Sequence, residues 1–141
     1  MAKRIALYDY IEVDGVNLSN LARSIEFEST DEEVDVSGFN PTGASEFLQG
    51  TRVRAITVEF YGSRGSNEVH PVIFPIHDGR LACDFVWRAN VNDAVSATNE
   101  ELRGEVRIPT YTEGATRGEA ETQTIRFVEA DASSPLTFYS T

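Results

Sequence analysis

Hydrophobic and polar positions alternate with a period of two along most of this chain. In residues 51–61, Ile56, Val58 and Phe60 share one face, and Thr57, Glu59 and Tyr61 share the other. Residues 101–108 alternate most cleanly, with Leu102, Gly104, Val106 and Ile108 set against Glu101, Arg103, Glu105 and Arg107. Over residues 80–89, Leu81, Cys83, Phe85 and Trp87 point one way, while Arg80, Ala82, Asp84 and Arg88 point the other. Ile25 and Phe27 mark a strand over 23–29, and Ile125 and Phe127 mark another over 121–129. A period of two with one apolar side is the signature of antiparallel strands that have one dry face.

The breaks between these runs set the order of elements. Residues 7–13 read as a first strand, closed by the tight-turn pair Asp14-Gly15. Residues 16–21 form a short connector, and the acidic run 30–33 reads as a corner into a short strand at 33–37. Turn formers then crowd residues 38–45, and Glu46-Phe47-Leu48-Gln49-Gly50 makes a short apolar hook. Residues 38–50 thus read as a loop far longer than the two to five residues a hairpin needs. Its Phe39, Phe47 and Leu48 must either fold back on their own domain or bury against another chain. A helix is expected over about 67–77, capped by Ser66 or Asn67, with Val69, Ile73 and Ile76 on one face. Pro71 is tolerated in its first turn, and Pro75 marks an end or a kink. Residues 90–99 are a polar loop, Pro109 closes a strand, and 110–119 read as a loop. The tail 134–141 carries Leu136, Phe138 and Tyr139, within a C-terminal arm of about 131–141, and adds an edge strand or reaches a neighbour.

The sum is a mostly β chain: an antiparallel β-sandwich or partly closed barrel of seven or eight strands with one short flanking helix. At 141 residues it reads as a single domain, large enough to bury about two-thirds of its unfolded surface without a staple. A lone cysteine, Cys83, excludes an internal disulfide framework and a CxxC metal site. The N-terminus is basic, but Asp9, Glu12 and Asp14 interrupt any signal-peptide core, so a soluble, cytosol-made chain is expected. No apolar run reaches the ~20 residues that cross a bilayer.

Charge changes the picture more. Twenty-three acids face twelve bases, a net charge of −11. That disfavours a passive nucleic-acid binder, which needs a basic footprint. It permits the opposite role, a surface that DNA passes without sticking. Host salinity is the competing explanation of the acidity. Eleven of the twelve bases are Arg, which fits a GC-rich genome or a choice of Arg for interface ion pairs.

Candidate chemistry is nearly absent. His70 and His77 lie seven residues apart and could share a helix face, but only Asp78 adjoins them and a structural role outweighs a metal pair. Cys83 sits among Phe85 and Trp87, where a cysteine is a small buried hydrophobe rather than a nucleophile. Paired acids such as Glu32/Glu33 and Glu100/Glu101 point to opposite strand faces and do not converge. Gly62-Ser63-Arg64-Gly65-Ser66 could hold an anion before the helix, though a connector is the plainer reading. No P-loop, GxGxxG or GxSxG pattern is present. No enzyme and no cofactor are expected.

An ordered set of segments carries a resemblance. The set is Ile11-Glu12-Val13-Asp14-Gly15-Val16-Asn17-Leu18-Ser19, Ala22-Arg23-Ser24-Ile25-Glu26-Phe27, Glu33-Val34-Asp35-Val36-Ser37, and Glu46-Phe47-Leu48-Gln49-Gly50. It continues with Ile73-Phe74-Pro75-Ile76, Trp87-Arg88-Ala89, Asn99-Glu100-Glu101-Leu102-Arg103-Gly104 and Ile108-Pro109-Thr110-Tyr111-Thr112. In this order they resemble the major tail tube proteins of long-tailed, non-contractile phages, especially those of actinobacterial phages.

The resemblance implies a virion protein with a helix-flanked β-sandwich. Six copies would close into a ring, and rings would stack into the conduit for DNA ejection. It implies assembly in the host cytoplasm, with the tape measure, tail terminator and tail-tip proteins as partners besides itself. DNA would be transiting cargo, with no membrane. The loop 38–50 would touch neighbouring subunits and the next ring, through Phe39, Asn40, Pro41, Glu46, Phe47 and Leu48. Candidate lumen-facing residues are Glu26, Glu28, Thr57 and Glu59, with Glu101, Arg103, Glu105 and Arg107 as the other possibility.

Two other readings compete. A tail terminator, head–tail connector or capsid decoration protein would share a related sandwich but stop at one ring. A β-sandwich module binding carbohydrate or protein would display aromatics on one face, whereas Phe85 and Trp87 fall on the core-like face.

Overall fold

The computed structural model describes residues 6–39, 43, 45, 47–130 and 134–141. Strand β1 (Tyr10–Val13) turns at Asp14 and Gly15 into β2 (Val16–Asn17). Both turn residues have positive φ, 51° and 80°, which matches the right-handed strand twist in a two-residue hairpin. A 3-10 turn at Ser19–Leu21 leads to the long β3 (Ala22–Asp35), which pairs antiparallel with β4 (Phe47–Tyr61). Helix α1 (Val69–Asp78) follows, then β5 (Ala82–Arg88), β6 (Glu101–Gly114), β7 (Thr122–Glu129) and β8 (Thr137–Tyr139).

All eight strands join one antiparallel sheet in the order β2-β1-β5-β6-β7-β4-β3, with β8 also on β6. The fold is an open, mostly β sandwich with one short helix, because β6 belongs to both layers. Its first half pairs β5 through Ala82↔Arg107, and it pairs β7 from Val106↔Glu129 through Arg107↔Val128 and then from Thr110↔Arg126 to Gly114↔Thr122. Between them, Ile108 and Pro109 oppose one residue of β7, which is a β-bulge. The bulge inverts the alternation. Leu102, Val106 and Ile108 face inward before it, and Tyr111 faces inward after it. Pro109 therefore does not end the strand: a bulge has no ladder bond for Pro to break, and the strand runs on to Gly114.

The core lies between the layers. Ile11, Val13, Phe85, Leu102 and Val106 meet Ile56, Val58, Phe60, Ile125 and Phe127, with the Phe85 and Phe127 rings 5.0 Å apart. α1 closes one side with Val69, Ile73 and Ile76, the face its spacing predicts. The expected Ser66 or Asn67 cap is not used. Ser63 Oγ accepts the Val69 N–H at 3.2 Å, and Ser63 O accepts the His70 N–H at 3.2 Å.

Three further expectations are corrected. The acidic run 30–33 is no corner, because β3 passes straight through it. The hook 46–50 is no hook, since Phe47–Gly50 is strand, paired as Asp35↔Phe47 and Val34↔Leu48. Gly50 sits where the register shifts, between Asp31↔Arg52 and Glu33↔Gln49. A Cβ there would lie 3.1 Å from Val34 and 3.3 Å from the Glu32 carbonyl. Leu81 does not point into the core. It is 58 % exposed, because the turn closing α1 holds its N–H on Ile76 O and β5 begins only at Ala82.

Candidate functional site

No convergent set of nucleophile, base and metal ligands is present among the described residues. No cluster of three or more His, Cys, Asp or Glu suited to a metal occurs among them. Cys83 is buried, and burial, reinforced by Asp14, Asp84 and Glu105, pushes its thiol up to about 12, so it stays protonated and inert. The features that could act are a sheet half with two unpaired edges, an exposed hairpin arm, and the contacts that hold the rest still.

The sheet half is β3-β4-β7 with the second half of β6. One edge is β3, which pairs only with β4 along its 14 residues. The other is the second half of β6, whose β5-side pairing stops at Arg107. Pairing register places side chains in rows across the outer face. One row runs Thr110, Arg126, Thr57, Glu26, and another runs Arg107, Val128, Ala55, Glu28. Ser24 and Glu59 also face each other on this side, where Arg23 bonds Glu59 at 3.0 Å. Glu26, Glu28, Thr57 and Glu59 are thus brought together on one surface.

Glu101, Arg103 and Glu105 lie instead on the outside of the opposite layer, and Arg107 sits at the bend between the layers. Glu101 is bound there by Arg88 at 3.7 Å and by Arg103, whose guanidinium also covers the Tyr139 ring at 4.7 Å.

The arm is the part of the β3–β4 hairpin beyond Asp31 and Arg52, which form a salt bridge at its base. Val34, Val36, Phe47 and Leu48 are 42–61 % exposed there, and Phe39 is fully exposed. Asn40, Pro41 and Glu46 lie outside the described residues. Side chains of this type left in water mark a contact surface.

The C-terminal residues are tied back onto their own subunit, although Phe138 and Tyr139 keep 44 % and 40 % exposure. Leu136 is 1 % exposed within the sandwich's own core, and β8 pairs with Glu101–Arg103 of β6. Arg54 donates to Leu136 O at 2.9 Å, and Phe138 meets Phe27 edge-on at 5.4 Å. Gly104 is what lets the chain pass this close. A Cβ on it would stand 2.8 Å from both Leu136 Cα and Pro135 O.

Two fixing networks escaped the sequence pattern. Asn99, buried in the 90–99 loop, accepts the Asn90 N–H and donates toward the carbonyls of Asn90, Asp93 and Ala94. The second ties α1 to the ends of β6 and β7. Glu113 Oε1 takes bonds from Tyr111 at 2.6 Å and Gln123 at 2.7 Å, and lies 2.7 Å from His70 Nδ1, while Arg64 bridges Glu113 and Glu121. His70 is accounted for by this contact. The Tyr111 hydroxyl, then Gln123, His70 and Arg64, hold the Glu113 carboxyl down to about 2 against the cost of desolvation. Burial and the bond to Glu113 raise Tyr111.

This fixes a sign. Glu113 stabilises the fold fully above its ordinary pKa of 4.5, and that contribution is lost as pH falls from there toward 2. Glu113→Gln should lower stability at neutral pH and flatten the acid limb over that window. Urea midpoints measured at successive pH values check this, and parallel wild-type and variant profiles would contradict it.

Comparison with solved structures places the architecture. The chain superposes on a subunit of the tail of an empty gene transfer agent particle, solved with C6 symmetry, with a TM-score of 0.65 and 16 % identity, over 84 % of this chain and 82 % of that one. The chain shares the fold of virion tail subunits. A chain of the native gene transfer agent virion matches with TM-score 0.65 and 16 % identity, over 84 % and 85 %. The SPP1 tail tube subunit matches with TM-score 0.63 and 13 % identity, over 93 % of this chain and 73 % of that one. Likeness at these identities is likeness of fold. No family model and no curated protein sequence matches the chain.

Proposed function

We propose that this chain is a structural virion protein, the subunit of a phage tail tube. Copies close head-to-tail into rings of six, and rings stack into the conduit through which DNA leaves the capsid. The observation that carries this is the sheet half with a free edge on each side. Four strands alternate in direction across it, so β3 of one copy runs antiparallel to the second half of β6 of the next. A ring made this way is one continuous antiparallel barrel with no edge left open. The tail-fold neighbours support the same reading, and the ordered motif set supports the actinobacterial-phage branch.

The outer face of that sheet half becomes the lumen, with Glu26, Glu28, Thr57 and Glu59 on the DNA side. Carboxylates there repel phosphate and keep the passing genome from binding. The hairpin arm, with Phe39, Phe47 and Leu48, reaches the neighbouring ring. The tape measure, tail terminator and tail-tip proteins are the remaining partners, and assembly takes place in the host cytoplasm.

Negative-stain microscopy of the purified protein over a range of concentrations is the first test. Hollow tubes of uniform width are expected. Single rings that never stack would assign the chain to a terminator or connector instead.

A further inference from the structure

The two free edges of the sheet half carry opposite charge. β3 contains one base, Arg23, and six acids, and Arg23 and Asp31 are taken by Glu59 and Arg52. Glu26, Glu28 and Glu32 alternate along the outer face of β3, and none has a cationic partner among the described residues. At the other edge, a groove is lined by His77, Asp78, Arg80, Leu81, Arg107 and Pro109. The His77 ring is spent on the Ile108 carbonyl at 2.7 Å. Most arginines of the described chain are ion-paired: Arg23, Arg52, Arg54, Arg64, Arg88 and Arg103. Arg80, Arg107, Arg117 and Arg126 are not, and of these Arg126 lies mid-sheet beside Glu28 and Glu32 of its own subunit while Arg80 and Arg107 stand together at the edge. In a chain of net charge −11, two unpaired arginines share one groove with a single carboxylate, Asp78.

We infer that this groove is the electrostatic socket of the ring: Arg80 and Arg107 of one copy receive two of the three carboxylates Glu26, Glu28 and Glu32 of β3 of the next, and the third leaves each joint net negative on the DNA side. The inference rests on the tube-subunit reading and adds to it what selects the lateral partner and its register. Within one subunit, the row that starts at Arg107 ends at Glu28 on the opposite edge. Barrel closure staggers neighbouring strands by a few residues, because the strands tilt. Carboxylates recur every two to four residues on that face of β3, at steps of roughly 7 Å per two residues. An arginine therefore finds an acid in reach over the range of staggers that closure allows. Leu81, exposed beside the arginines, supplies apolar contact and partly shields the pairs from solvent.

The test uses the full chain in two surface variants, R80E/R107E and E26R/E28R/E32R. Circular dichroism and melting curves confirm that both fold. Each variant alone opposes like charges across the joint, so the concentration needed for assembly should rise at least about tenfold, the effect of some 1.4 kcal/mol. Mixed one to one, the variants restore both matched joints, since the native β3 of the first meets the native groove of the second and the reversed β3 of the second meets the reversed groove of the first. Sedimentation and microscopy should then show assembly recovered. Wild-type tubes with an R80E/R107E variant that assembles equally well would overturn the socket and leave the tube reading intact. A mixture that stays monomeric, although each partner is folded, would also overturn it. A wild type that never associates would refute the tube reading. In that case, pairing in the mixture would still support the joint, and its absence would refute both.

Discussion

Replacing Phe39, Phe47 and Leu48 together with serine should abolish stacking and leave the subunit folded. None of the three contributes to the subunit's core: Phe47 and Leu48 are more than half exposed, and Phe39 wholly so. The arm is held in shape by other means, namely the β3–β4 ladder, the salt bridge between Asp31 and Arg52, and the register shift at Gly50. Melting temperature should therefore change little. In the proposed tube the same side chains would leave water on stacking, and each large apolar side chain contributes about 1.5–3 kcal/mol on full burial. Even a partial sum of about 4 kcal/mol per subunit corresponds to a thousandfold change in association constant. The expected result is a monomer, or at most an isolated ring, at concentrations where the wild type forms tubes. Tubes of normal length from the triple variant would show that the arm is not the stacking contact.

Gly104→Val should be the most damaging single substitution to the subunit itself. The backbone of Pro135 and Leu136 lies within 2.8–2.9 Å of the position a Cβ would take, so side-chain rotation cannot relieve the clash. The C-terminal strand must lift, Leu136 leaves the core, and the bonds from β8 to Glu101–Arg103 go with it. Loss of one buried Leu alone costs about 2–5 kcal/mol. For a domain of this size that lowers the melting temperature by roughly 10 °C or more. Gly114→Ala is the control, with nothing within 4 Å of its Cβ, and should melt as the wild type does. Equal melting of the two variants would mean that the C-terminal strand does not contribute to the fold as described.

The parts of this fold that were legible in the sequence are those with one dry face. Ile56, Val58 and Phe60, Leu102, Val106 and Ile108, and Ile125 and Phe127 all lie inward as their alternation requires. α1 was legible from three apolar positions at helical spacing. What failed to show is what has no dry face or no local signal. The β3–β4 arm is wet on both sides: Glu33-Val34-Asp35-Val36 alternates as a half-buried strand would, yet Val34 and Val36 are exposed, and the acidic run 30–33 resembled a corner. A bulge inverts alternation without breaking it, which is why Pro109 looked like a terminus. The surface joining Glu26, Glu28, Thr57 and Glu59 depends on which strands pair, and the partners of Glu113 come from α1 and β7 as well as β6. Neither can be read from neighbours in the chain. The exposed arm was visible only in outline, as apolar residues with no core position to occupy.

Which surface of the subunit faces inward is measured most directly by a cryo-EM reconstruction of the assembled protein. It should show a hollow tube of stacked six-membered rings. Its lumen should be a continuous barrel of β3, β4, β7 and the second half of β6, with Glu26, Glu28 and Glu59 projecting into the channel. A tube whose channel is lined by Glu101, Arg103 and Glu105, or an assembly in which β3 remains an open edge, would contradict it.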